Sequence, residues 1–144
     1  MRFRDLTEDD IPQLLKWLRQ FSGSFDYPGK APISNEVAQL FFGRFINSAS
    51  EACIVAEANN KPVAVLGFTI MPHPWTGQKI LFKAFWYSAK AGAGIKLLRH
   101  VIDLSKKGGV ELIIAGSMLE NSHRIFEAHG FKPCEMNYVL DLRI

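Results

Sequence analysis

The sequence lacks several features that would each indicate a particular class of protein. No apolar stretch reaches the roughly 18 residues of a membrane span, and the N-terminal Met-Arg-Phe-Arg-Asp lacks the apolar core of a secretory signal. Only two cysteines occur, Cys53 and Cys134, in separate apolar runs without zinc-site spacing, so we expect two buried thiols rather than a disulfide. These absences predict a cytoplasmic protein that needs no metal and contacts no membrane.

Charge and composition further restrict the kinds of protein that this sequence can encode. The chain has 17 Lys and Arg against 14 Asp and Glu, and its net charge of +3 is scattered rather than gathered in one block. A nucleic-acid partner is therefore not expected. With 144 residues, 48% of them hydrophobic and 22% charged, the whole chain 1–144 is expected to form a single globular domain.

The spacing of apolar residues predicts a mixture of strands and helices. Turn residues such as 59–62, Asn-Asn-Lys-Pro, separate strand-like runs and predict a hairpin. The predicted strands are 2–6, 52–58, 63–71, 79–88, 110–115 and 134–142, and the predicted helices are about 11–21, 35–46, 95–107 and 121–129. Ser34 is the expected N-cap of the second helix, whose apolar face is predicted to include Val37, Leu40, Phe41 and Phe45.

The most informative segment is the turn Ala89-Lys-Ala-Gly-Ala-Gly94, between an aromatic strand and a helix. Gly92 and Gly94 lack a Cβ and can let a bulky anion approach the main chain, where the next helix offers unpaired N–H groups and its positive dipole end. The segment therefore predicts a phosphate site. It is not a P-loop, and a dinucleotide fingerprint would require glycine where Leu97 stands.

This turn resembles the R/Q-x-x-G-x-G/A segment of the GNAT superfamily of acyl-CoA-dependent N-acetyltransferases. The segment Phe126-Glu-Ala-His-Gly-Phe131 resembles the second signature of that superfamily, [Y/F]-x-x-x-G-F before a last strand. The predicted element order also resembles that of the GNAT fold. The resemblance implies a single mixed α+β domain with a mostly antiparallel central sheet of about six or seven strands, flanked by four helices.

The resemblance also implies acetyl-CoA as the acyl donor. Lys90 would substitute for the usual arginine or glutamine, which Ala89 replaces, and Asn121 either resembles an asparagine of the family or caps the last helix. The main chain of Phe85, Trp86 and Tyr87 would pair with the pantetheine arm. The main-chain N–H groups expected to hold the pyrophosphate are those of Gly92, Ala93, Gly94, Ile95 and Lys96.

The residues that would protonate the leaving thiolate and remove a proton from the amine are harder to assign. Phe126 stands where the family often has a tyrosine that protonates the leaving thiolate, so Tyr138 is a candidate substitute, unless it only closes the sheet. Lys79 and Lys83 stand on the strand where many relatives keep a glutamate. Glu57 and His73 are then the candidates for the base, although both residue types also occur as an ordinary surface carboxylate and loop histidine.

The sequence thus predicts an N-acetyltransferase that moves an acetyl group from acetyl-CoA to a primary amine of a small molecule or protein. The amine would attack directly within a ternary complex, and a homodimer is left open. The alternative is a non-catalytic CoA-binding or protein-interaction module on the same fold, which Ala89, Phe126 and the missing strand glutamate permit.

Overall fold

A five-stranded sheet lies at the centre of the fold in a computed structural model that describes residues 1–24, 26–117 and 119–143. The strands follow one another in chain order across the sheet, and every neighbouring pair is antiparallel except β4 and β5, which are parallel. The strands are β1 Arg2–Asp5, β2 Glu51–Ala58, β3 Lys61–Pro72, β4 Lys79–Ser88 and β5 Leu112–Ile114.

Four helices cover the two faces of the sheet. They are α1 Ile11–Phe21, α2 Asn35–Gly43, α3 Ala93–Lys107 and α4 Glu120–Ala128. The first two pack on one face around Leu14, Trp17 and Phe42, and the last two pack on the other face around Leu97, Val101 and Phe126. No helix among the described residues is long and apolar enough to span a membrane.

The second helix begins as the sequence predicts but buries a different face. The Ser34 side chain accepts a hydrogen bond from the Val37 main-chain N–H at 3.3 Å, which confirms the predicted N-cap. Val37 and Leu40, predicted to be buried, are 67% and 76% exposed, whereas Phe42 is 6% exposed. Phe42 of this helix and Phe45, which follows the helix and is buried as predicted, both pack against Phe85 of the sheet, whereas Val37 and Leu40 have no such partner in the described part of the chain.

A bulge in β4 changes which residues share a face. Gly67 of β3 pairs with Phe85, but the next residue, Phe68, pairs with Lys83, so Ala84 is the extra residue. The Phe85 ring lies directly over the α-carbon of Gly67, where a Cβ would overlap its ring atoms. Glycine at this position lets the ring reach the aromatic cluster of α2.

The C-terminal segment corrects two predictions. Residues 134–142 were expected to form the last strand, but the structure has no strand there, and Tyr138 and Leu140 are 88% and 82% exposed. The segment ends against another loop instead, since Arg143 donates to the Gly29 carbonyl and pairs with Asp141. Cys53 is buried as expected, whereas Cys134, on this exposed segment, is not.

A charged network connects the first two strands to the start of α1. Both terminal nitrogens of Arg4 donate to the Asp10 carboxylate, at 2.7 and 2.8 Å, and its Nε donates to Glu57 at 2.6 Å. Burial alone would raise the pKa of Asp10, which is 5% exposed, but the hydrogen bonds and charge of Arg4 and the Thr7 N–H outweigh it and hold that pKa below its usual value. The bond to Asp10 is also the main cause that raises the pKa of Arg4.

The first prediction concerns the contact between Gly67 and Phe85. The Gly67→Ala variant should lose about 1–3 kcal/mol of unfolding free energy, because the new methyl group displaces the ring from the aromatic cluster. Gly43→Ala is the matched control, since a Cβ there meets no atom within 4 Å, and it should not lose stability. Urea unfolding measures both. If the ring is the cause, the loss shrinks in a Phe85→Leu background; an equal loss in both backgrounds would contradict the explanation.

The second prediction concerns the acid stability given by Asp10. Its folded-state pKa is lowered, so its contribution is fully present above the unfolded-state value of about 3.9 and is lost as pH falls through the folded-state value. At pH 6 the Asp10→Asn variant should be less stable by about 1–3 kcal/mol, and the gap to the parent should narrow towards pH 2. The exposed neighbour gives the control Asp9→Asn. A gap that stays constant with pH would show that the lowered pKa does not stabilise the fold.

Candidate functional site

The glycine turn joins the end of β4 to the start of α3. Gly92 is the N-cap of α3 and has a φ of 79°, in the left-handed region that favours glycine. A Cβ added to Gly92 would meet no atom within 4 Å, so the main chain here faces open space. The turn therefore offers an accessible helix N-terminus, the geometry predicted for a phosphate site.

The main-chain N–H groups of the turn divide into two sets. Ala93 donates to the Lys90 carbonyl at 3.1 Å, Lys96 to the Gly92 carbonyl at 3.2 Å and Gly94 to Ser88 Oγ at 3.0 Å. Within the described part of the chain, the N–H groups of Gly92 and Ile95 have no hydrogen-bond partner. Of the five predicted phosphate contacts, these two are available without rearrangement.

Two side chains of β4 hold the turn in place. Ser88 Oγ donates to the Lys90 carbonyl at 2.7 Å while it accepts the Gly94 N–H, so it connects both ends of the turn. The indole Nε1 of Trp86 donates to the Gly94 carbonyl at 3.2 Å. Gly94 is closely packed, because a Cβ there would lie 2.8 Å from the Ser88 Cβ. The two glycines thus differ in role, since Gly94 permits packing and Gly92 keeps the turn open.

An unpaired edge of β4 leads up to the turn. The parallel pairing with β5 covers only Ile80–Phe82, opposite Leu112–Ile114. From Lys83 to Ser88, β4 stays paired with β3, but no described residue pairs with its other edge. This edge presents main-chain groups to which an extended, peptide-like chain can pair. It includes Phe85, Trp86 and Tyr87, the residues predicted to contact the pantetheine arm.

The side chains of this segment are fixed on both faces of the sheet. Phe85 packs edge-on against Phe42, and Tyr87 packs against Trp17 with ring centroids 5.1 Å apart. On the opposite face Trp86 stacks on Phe126 at 5.5 Å. Pairing with β3 and side-chain packing on both faces therefore hold this segment in place, although its other edge carries no strand among the described residues.

The predicted base candidates lie outside this edge. Glu57 bonds Arg4 through Oε1, and its strand β2 is separated from β4 by β3. His73 follows β3, and its Nδ1 accepts main-chain hydrogen bonds from Trp75 and Thr76, both at 3.2 Å. That loop precedes β4, whereas the glycine turn follows it, so the ten residues of β4, about 30 Å, separate the two. The catalytic roles of both residues remain predictions.

The remaining predicted residues are divided between the core and the surface. Phe126 is buried and packs on Trp86 and Phe131. Asn121 is exposed within the first turn of α4, whose N-cap is Leu119, so the capping interpretation of Asn121 is wrong. Lys90 is exposed at the turn. Tyr138 is exposed on the C-terminal segment, and its proposed acid role remains a prediction.

Sequence reasoning missed three features of the site, which involve Ser88, Trp86 and Lys83. Ser88 was predicted only as the last residue of a strand. No sequence pattern marks the hydrogen bond that Trp86 donates to the Gly94 carbonyl. Lys83 lies half-buried beside the unpaired edge, where burial lowers the pKa of its ammonium group. A bulge places Lys83 and Trp86 on the same face although they are three residues apart, which strict strand alternation does not predict.

Within the described residues no cluster of His, Cys, Asp or Glu could hold a metal ion.

Solved structures share this fold along nearly the whole chain. A transcriptional regulator from Bacillus halodurans C-125 is 21% identical with a TM-score of 0.78, over 98% of this chain and 99% of its own. A predicted acetyltransferase from Clostridium acetobutylicum, solved with acetyl-CoA, is 17% identical with a TM-score of 0.75, over 98% and 96%. The ribosomal-protein-alanine N-acetyltransferase of Brucella melitensis biovar Abortus 2308 is 13% identical with a TM-score of 0.73, over 99% and 100%.

At these identities the structural likeness shows the fold alone, and no curated protein sequence matches the chain. The family follows from a sequence model instead. The model described as the acetyltransferase (GNAT) family matches residues 11–131, which include α1, the central strands, the glycine turn and the Gly-Phe pair after α4. The chain belongs to the GNAT acetyltransferase family.

Proposed function

We propose that the protein transfers an acetyl group from acetyl-CoA to a primary amine, by direct attack within a ternary complex. The observation that carries the proposal is the open turn at Gly92, where a helix N-terminus with two unpartnered N–H groups adjoins the free edge of a strand. Acetyl-CoA carries a diphosphate, which a helix N-terminus can bind, and a peptide-like arm, which can pair with a free strand edge. Family membership supports acyl transfer.

The residues present fit acetyl-CoA. Gly92 and Ile95 would donate to the pyrophosphate, with Lys90 and Lys96 as nearby exposed cations. The arm would run along the main chain of 85–87. The Clostridium acetobutylicum structure of the same fold contains acetyl-CoA, which supports the choice of donor.

The bulge in β4 offers a means to stabilise the negative charge that develops on the thioester carbonyl oxygen when the amine attacks. Ala84 has no register partner on β3, and from Lys83 onwards no residue in the described part of the chain pairs with the other edge of β4. Main-chain N–H groups aimed from a rigid strand can stabilise charge that develops on a carbonyl oxygen, an effect of about 2.7–4 kcal/mol per donor in other enzymes. The thiolate leaving group has a reference pKa near 8.5 for a cysteine-like thiol, which lowers the need for a strong acid.

The acceptor would approach from the face of the sheet that α1 and α2 cover, between α1 and the loop 26–33. That region contains Arg19 and Lys30, and the C-terminal segment reaches it through Gly29. A lysine-type amine is almost fully protonated at neutral pH, so the acceptor must lose a proton before attack. Glu57 and His73 remain candidates for accepting that proton, directly or through water.

The third prediction tests the position of the diphosphate. Acetyl-CoA at 100 times its dissociation constant should stabilise the protein by about 2.7 kcal/mol, which raises the melting temperature by several degrees. Gly92→Asn and Gly92→Asp place side chains of nearly equal size at a left-handed position that both tolerate, but only the second adds a negative charge. Gly92→Asp should bind acetyl-CoA on the order of tenfold more weakly than Gly92→Asn. Gly94 is unsuited to this test because its packing against Ser88 would confound binding with folding.

Equal affinities in the two Gly92 variants would place the diphosphate elsewhere. Isothermal titration with acetyl-CoA, at a fixed salt concentration, gives the two dissociation constants directly. Urea unfolding without ligand provides the control for folding, and the two variants should agree with each other within about 0.5 kcal/mol.

The fourth prediction separates the enzyme from the non-catalytic module that Phe126 and the absent strand glutamate permit. With acetyl-CoA and a panel of primary amines, the enzyme should release free CoA thiol continuously, and the Gly92→Asp variant should release it more slowly. A thiol assay follows the release, and mass spectrometry identifies the acetylated amine. A thermal shift with acetyl-CoA but no turnover on any amine would favour the module.

A further inference from the structure

A small cavity lies beneath β4, between the sheet and helices α3 and α4. Lys83 is its one charged lining residue, and every other lining side chain is apolar. The lining residues are Leu66, Leu81, Lys83, Trp86, Leu98, Val101, Ile113, Ala115 and Phe126. Within the described residues, Lys83 has no hydrogen bond or ion pair, although Lys79 of the same strand donates to the Gly108 carbonyl at 2.8 Å.

The register places Lys83 at the point where two strands separate. Phe82 is the last residue of β4 that pairs with β5, and Lys83 is the first of the unpaired edge. The bulge residue Ala84 follows it directly. An extended chain that lies along this edge from the glycine turn would therefore end beside Lys83.

The length of the acyl carrier agrees with this position, if acetyl-CoA binds as proposed above. The arm has about twelve chain atoms from the phosphate oxygen to the sulfur, as many as about four extended peptide residues. Four residues counted back from the end of β4 at Ser88 reach Ala84. The thioester would then lie next to the amine of Lys83.

The surroundings of Lys83 favour a reactive amine. Its half-buried side chain enters an apolar cavity without a counter-charge, and burial lowers the pKa of the ammonium group. A larger neutral fraction makes the amine a better nucleophile. The product, a neutral amide, also suits an apolar cavity better than an ammonium ion does.

We propose that Lys83 is a self-acetylation site, at which the protein transfers an acetyl group from its own bound acetyl-CoA to the Nζ that lines this cavity. The inference rests on the proposed function. The neutral amine attacks the thioester carbonyl, the C–N bond forms, the C–S bond breaks, and the proton shed by nitrogen goes to the departing thiolate. The products are Nε-acetyl-Lys83 and free CoA, with no other reactant.

The fifth prediction is stoichiometric labelling of Lys83. Full-length protein is incubated with acetyl-CoA that carries a deuterated acetyl group, without an added amine, and peptide mass spectrometry measures the label at each lysine. Lys83 should acquire the label on the order of tenfold faster or more than Lys79, the exposed lysine of the same strand, because bound donor and amine are held together. Gly92→Asp should slow this labelling relative to Gly92→Asn.

A second readout does not depend on transfer from acetyl-CoA. Trace acetic anhydride should acetylate Lys83 in the ligand-free protein, and CoA thiol should protect Lys83 but not Lys79, because the arm covers only the first. Failure of anhydride to reach Lys83, or failure of CoA to protect it, would overturn the proposal.

The outcomes distinguish this inference from the proposed function. Stabilisation by acetyl-CoA with Lys83 labelled no faster than Lys79 would overturn self-acetylation and leave the function standing. No stabilisation together with no label would overturn both. The Lys83→Arg variant keeps the cation but should lose the label at that position.

Discussion

The bulge at Ala84 is the constraint on which the geometry of the site depends. One extra residue in β4 directs Lys83 and Trp86 to the face of α3 and α4, and Phe85 to the face of α1 and α2. Without it, Phe85 could not lie over Gly67, and Trp86 could not donate to Gly94. The same irregularity leaves Ala84 without a register partner on β3, beside the edge along which the proposed arm would lie. One irregular residue in β4 thus determines both the packing of that strand and the geometry of the proposed site.

The site also depends on how the glycine turn is supported. Ser88 and Trp86, both from β4, hold the start of α3 by three hydrogen bonds, and the Trp86 ring rests on Phe126 of α4. A helix N-terminus binds anions only if its N–H groups are held in position, since ordering them on binding would cost conformational entropy. Here β4 supplies that order before any ligand arrives. The aromatic residues of β4 thus support the turn as well as pack in the core.

Much of this arrangement could be predicted from the sequence, for identifiable reasons. The hairpin at Asn59-Asn60, the Ser34 cap and the turn before α3 are local features, each determined by a few adjacent residues. The resemblance to the GNAT superfamily came from two such local signals in the right order, and the family model confirms it. The buried face of α2 and the last strand could not be predicted in this way, because each depends on a partner distant in sequence. Val37 and Leu40 fit the helical period but lack a surface to cover, and residues 134–142 alternate but lack a strand beside them. Within the site, the position of Lys83 depends on a bulge that no local pattern marks.

The short pairing between β4 and β5 has a consequence for motion. Nine residue pairs join β3 to β4, but only three join β4 to β5. Regions with fewer main-chain bonds open at lower free energy than the global unfolding transition. Strand β5 and helix α4 should therefore separate from β4 at lower free energy than the central hairpin opens, and this separation would break the stacking of Trp86 on Phe126.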